Sequence, residues 1–131
     1  MSIVGIGSDI VQVSRIETLV ARYGRRFLQR VFSETETAYA FAKARPAIHL
    51  AARFAAKEAF VKALGLGLRE GLSWCDVEVI NNNLGQPQLK LHNRAHRVCY
   101  EKNQAVSWLS LSHEQDFALA FVVLETTVTV P

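Results

Sequence analysis

The sequence predicts one α+β domain spanning residues 1–131, because helical patterns cluster ahead of a run of strand patterns. Apolar residues recur at three- and four-residue spacing through much of residues 13–65, as they do on helices. From residue 74 onward, short segments alternate apolar and polar side chains between turn residues, as strands do. A length of 131 residues, of which 50% are hydrophobic and 21% charged, fits a globular chain with a real core.

Residues 2–11 (SIVGIGSDIV) form the first predicted strand, since β-branched residues alternate toward Asp9. Gly5 and Gly7 interrupt it, and glycine inside a strand often marks close approach by a ligand or another backbone. The segment is not a phosphate-binding GxGxxG motif, because the third glycine and the strand–turn–helix context are missing. Asp9 therefore has two candidate roles, a cap on the next helix or a carboxylate that meets a ligand.

Residues 13–31 predict one or two short helices with a break at Gly24, and their polar side is basic. Against a single acid, Glu17, this segment carries an arginine patch that consists of Arg15, Arg22, Arg25, Arg26 and Arg30. The patch is either a solvated helix face or a docking surface for an acidic partner. Nucleic acid is one possible partner, but no recognised nucleic-acid-binding motif is present, and an acidic protein fits the patch at least as well.

The stretch of residues 48–65 (IHLAARFAAKEAFVKALG) predicts a helix that is buried on both sides. Bulky apolar side chains share one half and alanines cover the other, so no polar surface face remains. The bulky half also carries four charged residues, namely Arg53, Lys57, Glu58 and Lys62. Because unpaired charges in a packed helix are costly, they either form structural ion pairs, with Glu58 one turn from Lys62, or face a cleft. Three cations and one carboxylate in a cleft suit a phosphate bound through a divalent metal.

The remaining elements follow from local patterns. Ser33 and Glu36 have the spacing of a capping box that begins another helix, which Pro46 is expected to end. Residues 65–73 are loop-like, residues 74–80 and 88–91 predict a hairpin, and residues 92–102 predict a short helix. Residues 106–112 and 117–124 predict two closing strands, with polar residues at the turn between them.

Composition also excludes several classes of protein. No apolar stretch approaches the roughly 20 residues that cross a bilayer, and residues 1–11 lack a signal-peptide pattern, so a cytoplasmic location is expected. Cys75 and Cys99 form no CxxC motif and have no metal-ligand spacing, which argues against a zinc site or a disulfide framework.

Two segments resemble the signature motifs of the 4′-phosphopantetheinyl transferases. The segments are GIGSDIVQVSRIE at residues 5–17 and RFAAKEAFVKALG at residues 53–65. The short chain and its LSHE segment at residues 111–114 are similar to the holo-acyl-carrier-protein synthase branch of that family. The resemblance covers essentially the whole chain and implies the fold of that family, an antiparallel sheet packed on a long central helix. It also implies transfer of the phosphopantetheine arm of coenzyme A to a serine of apo acyl carrier protein, with Mg²⁺ as cofactor.

The same resemblance assigns roles to individual residues. It implies that Asp9 and Glu58 are metal ligands and catalytic residues. Lys62 then either stabilises charge or takes the serine proton, and a metal-bound water is the other candidate for the base. Family members differ at the position of His113, so that side chain is not expected to be indispensable. The residues expected to bind coenzyme A are Arg53, Lys57, Gly85, Pro87, Ser112 and His113, and those expected to bind the carrier protein are Arg15, Arg22, Arg25 and Arg26.

The resemblance also implies a homotrimer with sites between subunits, and neither nucleic acid nor membrane as a partner. Two other classes of function stay open from the sequence alone. A basic nucleic-acid-binding module would need the arginine patch but not the carboxylates Asp9 and Glu58. A protein that binds acyl carrier protein without catalysis would not depend on magnesium.

Overall fold

A computed structural model describes residues 1–65, 71–102 and 104–128, and it confirms the predicted α+β class. The helices are α1 (Val13–Tyr23), α2 (Arg25–Val31), α3 (Glu34–Phe41), α4 (Pro46–Leu64) and α5 (Asn93–His96), with a 3₁₀ turn at Trp74–Asp76 and a π-helical turn at Arg97–Lys102. The strands are β1 (Ser2–Gln12), β2 (Val77–Asn81), β3 (Pro87–Leu91), β4 (Ala105–His113) and β5 (Phe117–Thr126). Antiparallel strands in the order β1–β5–β4 form the main sheet, and β2 pairs with β3 in a separate hairpin.

The backbone of β1 lies directly against the backbone of α4. A Cβ atom built on Gly5 would come within 3.0 Å of the carbonyl oxygen of Ala63, and one built on Gly7 would come equally close to that of Ala59. Real Cβ atoms do not approach backbone oxygens so closely, so these two positions require glycine. The close approach predicted from the two glycines is therefore confirmed, and the group that approaches is another backbone.

Helix α4 is the centre of the core, as predicted. It is buried on both sides, and Leu50, Phe60 and most of its alanines are almost fully enclosed. Pro46 occupies its first turn, where the missing N–H costs no hydrogen bond, so this proline begins α4 and does not only end α3. Gly65 ends the helix in the left-handed conformation that glycine adopts without strain.

A buried ion pair fixes α4 to α3 and β2. The predicted capping box is confirmed, since the Ser33 side chain accepts from the Glu36 N–H while the Ser33 N–H donates to the Glu36 carboxylate. The same carboxylate accepts from Lys57 Nζ at 2.8 Å and from the Val79 N–H at 2.9 Å. Lys57 also donates to the carbonyl of Val77 at 2.6 Å.

The face of the main sheet that points away from α4 carries large apolar side chains that remain exposed to solvent among the described residues. Alternation along the strands places them there, since every second residue of β5 from Phe117 onward points outward. Ile10 is 62% exposed and Trp108 60% exposed, which is unusual for side chains of this size. We call this surface the open sheet face, and it comprises Ile6, Ile10, Val106, Trp108, Phe117, Leu119 and Phe121.

Two predicted elements differ from the structure, and a third lies partly outside the described residues. The strand expected over residues 74–80 begins only at Val77, because the residues before it form a 3₁₀ turn. The helix expected over residues 92–102 is present, with Ala95, Val98 and Cys99 buried as predicted, but it widens into the π-helical turn after His96. Of the loop predicted at residues 65–73, residues 66–70 lie outside the described part of the chain.

Candidate active site

Asp9 and Glu58 approach each other where β1 crosses α4. Asp9 lies on the same side of β1 as the two glycines and pairs with Ala120 of β5, so its carboxylate faces the helix. It does not cap α1, since β1 continues to Gln12, which occupies the cap position without a side-chain bond. Burial and the Asp9 charge raise the pKa of the Glu58 carboxyl, and Lys62 partly opposes this effect. Burial is the larger cause of the rise, and the additional effect of Asp9 indicates that the two carboxylates lie near each other.

Lys62 pairs with Asp9 in this structure. Its Nζ donates to Asp9 Oδ1 at 2.9 Å and to the carbonyl of Ser8 at 3.1 Å. The Lys62 side chain is 54% exposed, whereas that of Asp9 is only 17% exposed, so the lysine covers the carboxylate from the solvent side. An exposed lysine on four rotatable bonds is free to leave the carboxylate when a ligand enters.

The donor set at this point suits Mg²⁺. Two carboxylates are what Mg²⁺ commonly takes from a protein, with waters and substrate phosphates supplying the other oxygens. Across residues 1–65, 71–102 and 104–128, no cluster of three or more His, Cys, Asp or Glu side chains could enclose an ion by itself. The mutual repulsion of Asp9 and Glu58 is a further reason for a cation to bind between them.

A second cluster surrounds Arg53, which lies on α4 between one and two helical turns before Glu58. The Arg53 side chain is buried, and its Nη2 donates to Asn81 Oδ1 at 2.8 Å. Its guanidinium carbon lies 4.0 Å from the centre of the Tyr39 ring, a cation–π distance. The Arg53 Nε has no hydrogen-bond partner in this structure although it is buried. A buried donor without a partner is costly, so an anionic ligand that accepted a hydrogen bond from this Nε would be stabilised here.

Of the predicted residues outside α4, Gly85 and His113 are linked to the Arg53 cluster, through Asn81 and His49 respectively. Asn81 joins the β2–β3 loop to this arginine, because its Nδ2 also donates to the carbonyl of Gly85 at 3.0 Å. Pro87 lines a cleft of about 190 Å³ between β3 and β4, together with Trp108. Ser112 and His113 are exposed at the end of β4, where the His113 ring is 5.7 Å from that of His49 on α4.

Lys57 belongs to neither cluster. It was expected to contact coenzyme A, but its side chain is enclosed within the protein. Its side chain has no exposed surface, and Nζ donates to Glu36 and to the carbonyls of Val77 and Trp74. These three bonds use all the donors of an ammonium group. Burial lowers the pKa of Lys57, and the charge of Glu36 opposes that effect. Of the two interpretations of the helix charges, the structural ion pair therefore applies to Lys57.

The arginine patch divides into two parts. Arg15 lies beside the carboxylate site, since its guanidinium is 5.6 Å from the Phe54 ring centre and its charge acts on Glu58. Arg26 and Arg30 instead flank a groove of about 280 Å³, whose apolar floor is formed by Leu19, Tyr23 and Phe27. All five arginines of the patch are exposed.

Sequence reasoning missed Tyr39, His49, Asn81 and Glu36. His49 could have been found, because it precedes Arg53 by four residues and therefore lies on the same side of the helix. The other three act through contacts between elements that are distant in the sequence, for which a single chain offers no local signal.

Residues 5–122 match the model of the 4′-phosphopantetheinyl transferase superfamily, and the chain belongs to this family. Within it, the chain is similar to the holo-[acyl-carrier-protein] synthase of Geobacter metallireducens, with 49% identity over 94% of this chain and 98% of that protein. The crystal structure of the Neisseria meningitidis holo-[acyl-carrier-protein] synthase is 37% identical, with a TM-score of 0.85 over 95% of this chain and 100% of the other. The Helicobacter pylori synthase in complex with coenzyme A is 32% identical, with a TM-score of 0.80 over 92% of this chain and 99% of the other.

Proposed function

We propose that this chain is a holo-acyl-carrier-protein synthase. It transfers the 4′-phosphopantetheine arm of coenzyme A to a serine of apo acyl carrier protein and releases adenosine 3′,5′-bisphosphate. The observation that carries the proposal is the pair of carboxylates, Asp9 and Glu58, which lie near enough for the Asp9 charge to raise the pKa of Glu58, with Lys62 bound to Asp9. Family membership over residues 5–122 and the coenzyme A complex of a relative support the same substrates.

The two clusters on α4 match two ends of the nucleotide. Arg53, Ser112 and His113 bind the 3′-phosphate, while Gly85 and Pro87 lie toward the adenine. Glu58 follows Arg53 by five residues, which is about 7.5 Å along the helix axis. In this proposal the pyrophosphate of the same nucleotide lies at Asp9 and Glu58 while Arg53 holds the 3′-phosphate. Lys57 is left out of this set, because its ammonium group is enclosed by protein.

Mg²⁺ is the cofactor in this proposal, with Asp9 and Glu58 as its protein ligands. The two carboxylates would hold the ion beside the pyrophosphate, where it would supply positive charge against the negative charge that develops on transfer. Lys62 moves from Asp9 toward that charge, or takes the proton of the carrier-protein serine. We favour charge stabilisation, since Lys62 already pairs with a negative group, the Asp9 carboxylate.

The test uses purified protein, apo acyl carrier protein, coenzyme A and Mg²⁺, with mass spectrometry of the carrier protein as the readout. We expect the carrier protein to gain the mass of the phosphopantetheine arm, and chelation of Mg²⁺ to stop the reaction. Asp9→Asn and Glu58→Gln should abolish transfer while circular dichroism stays unchanged. Glu101→Gln, an exposed acid remote from the site, is the matched control. Wild-type turnover in both Asp9→Asn and Glu58→Gln would refute the assignment.

The assembly proposed is a homotrimer in the cytoplasm, built from one domain per chain. The open sheet face supports it, because an apolar surface of this extent is usually covered in a folded protein. In the described residues, no helix is long and apolar enough to cross a bilayer. Light scattering under dilute conditions should give three times the chain mass, and Phe121→Glu at the centre of the face should reduce it. A fully active monomer would contradict this proposal.

The carrier protein docks on the arginine patch in this proposal. Exposed arginines steer an acidic partner and make its association depend on salt, and the apolar groove beside Arg26 offers a seat for apolar side chains. Reversing the charge of single arginines should raise the KM for carrier protein more than that for coenzyme A. The substitutions are Arg15→Glu, Arg22→Glu, Arg25→Glu and Arg26→Glu. Lys90→Glu on the exposed side of β3 is the control. If the reversals left that KM and its salt response unchanged, nucleic-acid binding by the patch would be tested next.

A further inference from the structure

His49 lies at the centre of a group of rings and cations at the start of α4. Its ring is 5.8 Å from that of Tyr39 on α3 and 5.7 Å from that of His113 on β4, both in edge contact. The side chain is only partly buried, so the ring is enclosed on two sides and open on another.

The groups that face this ring are predominantly positive. Lys43, between α3 and α4, places its Nζ 4.8 Å from the centre of the Tyr39 ring, and Arg53 covers the same ring at 4.0 Å. Among the described residues, no carboxylate forms an ion pair with Lys43, His49, Arg53 or His113. Glu36 acts on Arg53 through its charge, but its own ion pair is with Lys57.

This surplus of positive charge indicates a ligand with more than one negative charge. The buried Nε of Arg53 has no partner, which independently indicates an anion at this point. A phosphomonoester has up to two charges and several acceptor oxygens, so it satisfies several cations at once. The 3′-phosphate of coenzyme A is such a group, and this inference rests on the function proposed above.

We propose that His49 is a further binding residue for the 3′-phosphate, and that it binds this phosphate more strongly when it is protonated. His49 would then be a specificity residue that separates coenzyme A from dephospho-coenzyme A more strongly as the pH falls. The neighbouring His113 shares the site, and Tyr39 holds both Arg53 and His49 in place.

The sign of the effect follows from the surroundings of the ring. Burial lowers the pKa of His49 from its ordinary value, and the charges of His113, Arg53 and Lys43 lower it further. A bound phosphate opposes those charges and raises the pKa again, so binding takes up a proton. The additional affinity is therefore absent at pH 8 and grows as the pH falls through the range below about 6.5.

The experiment measures the Kd of coenzyme A and of dephospho-coenzyme A by calorimetry at pH 8, 6.5 and 5.5. His49→Phe keeps an aromatic ring against Tyr39 and His49→Gln keeps a polar group. His96→Gln is the control, since the His96 ring packs on Tyr100 and not on the Tyr39 or His113 ring. The second ionisation of the phosphate, near pH about 6, is the same for every variant and cancels in ratios between them.

For coenzyme A, the ratio of the variant Kd to the wild-type Kd should rise between pH 8 and 5.5 by up to about tenfold per unit of pKa change on binding. For dephospho-coenzyme A the ratio should stay constant, and the proton uptake measured in two buffers should fall in both His49 variants. Equal pH dependence in wild type, His49→Phe and His49→Gln would overturn the inference. Absence of phosphopantetheine transfer by the wild type at pH 8 would instead refute the proposed function, and the calorimetric comparison distinguishes the two failures.

Discussion

Replacing Lys57 with methionine should destabilise this protein far more than the same substitution at Lys62. Both lysines are on α4 and both bind a carboxylate, at 2.8 Å in the Lys57–Glu36 pair and 2.9 Å in the Lys62–Asp9 pair. They differ in burial, since both side chains of the first pair are fully enclosed while the Lys62 side chain is 54% exposed.

The magnitude follows from what remains after the substitution. Methionine fills much of the space of Lys57 but leaves the Glu36 carboxylate buried without a counterion, which costs about 3–5 kcal/mol. Two carbonyls, those of Val77 and Trp74, also lose a donor. At Lys62 the corresponding loss is about 1 kcal/mol or less, because water and salt already screen an exposed pair.

Thermal and urea unfolding, followed by circular dichroism, measure both effects. For a chain of this size, about 3–5 kcal/mol corresponds to a fall in Tm of roughly 10–20 °C. The double variant Glu36→Gln with Lys57→Met should recover part of the loss, because no bare charge remains. Equal destabilisation by Lys57→Met and Lys62→Met, or a loss below about 1 kcal/mol at Lys57, would refute this reasoning. The KM for coenzyme A of the folded Lys57→Met protein should be unchanged, whereas a direct phosphate contact would raise it.

Three further predictions concern the core and the hairpin. Gly7→Ala should destabilise the protein by about 1–3 kcal/mol and lower transfer, because the new methyl group pushes β1 away from α4. Hydrogen bonds from Ser33 and His92 outweigh burial and lower the pKa of Glu78 in the folded protein. The Glu78 carboxylate therefore stabilises the fold above about pH 4.5, and this stabilisation is lost as the pH falls through the pKa of Glu78 in the folded state. Urea midpoints of wild type and Glu78→Gln between pH 3 and 6 should therefore converge at the acid end. Burial raises the pKa of Cys99 to about 11, so iodoacetamide should label the partly exposed Cys75 first in the native protein.

Much of the fold was predictable because its signals are local. The strand at β1, the break at Gly24 and the capping box at Ser33 each depend on neighbours within a few residues, and all three are confirmed. The prediction for Pro46 was incomplete for a similar reason. Proline ends one helix and begins another equally well, and local sequence does not distinguish these two roles.

The candidate site was less predictable, because its charges are assigned by contacts across the fold. Four charged residues on α4 look alike in the sequence, yet Lys57 pairs with Glu36 at a separation of 21 residues, and Lys62 pairs with Asp9 at 53. Whether a charge is enclosed or faces a cleft depends on which element packs over it. The motifs at residues 5–17 and 53–65 compensate for this, because a resemblance carries the three-dimensional arrangement that periodicity lacks.

The contact between β1 and α4 through Gly5 and Gly7 has a consequence for how freely the rest of the core can change during evolution. Because two backbones touch there, the distance between the strand that carries Asp9 and the helix that carries Glu58 does not depend on side-chain rotamers. Substitutions among the surrounding apolar residues alter volume and stability, but they leave this spacing unchanged as long as both glycines remain. The interior of the chain can thus change in sequence while the strand and the helix that carry the two carboxylates keep their spacing.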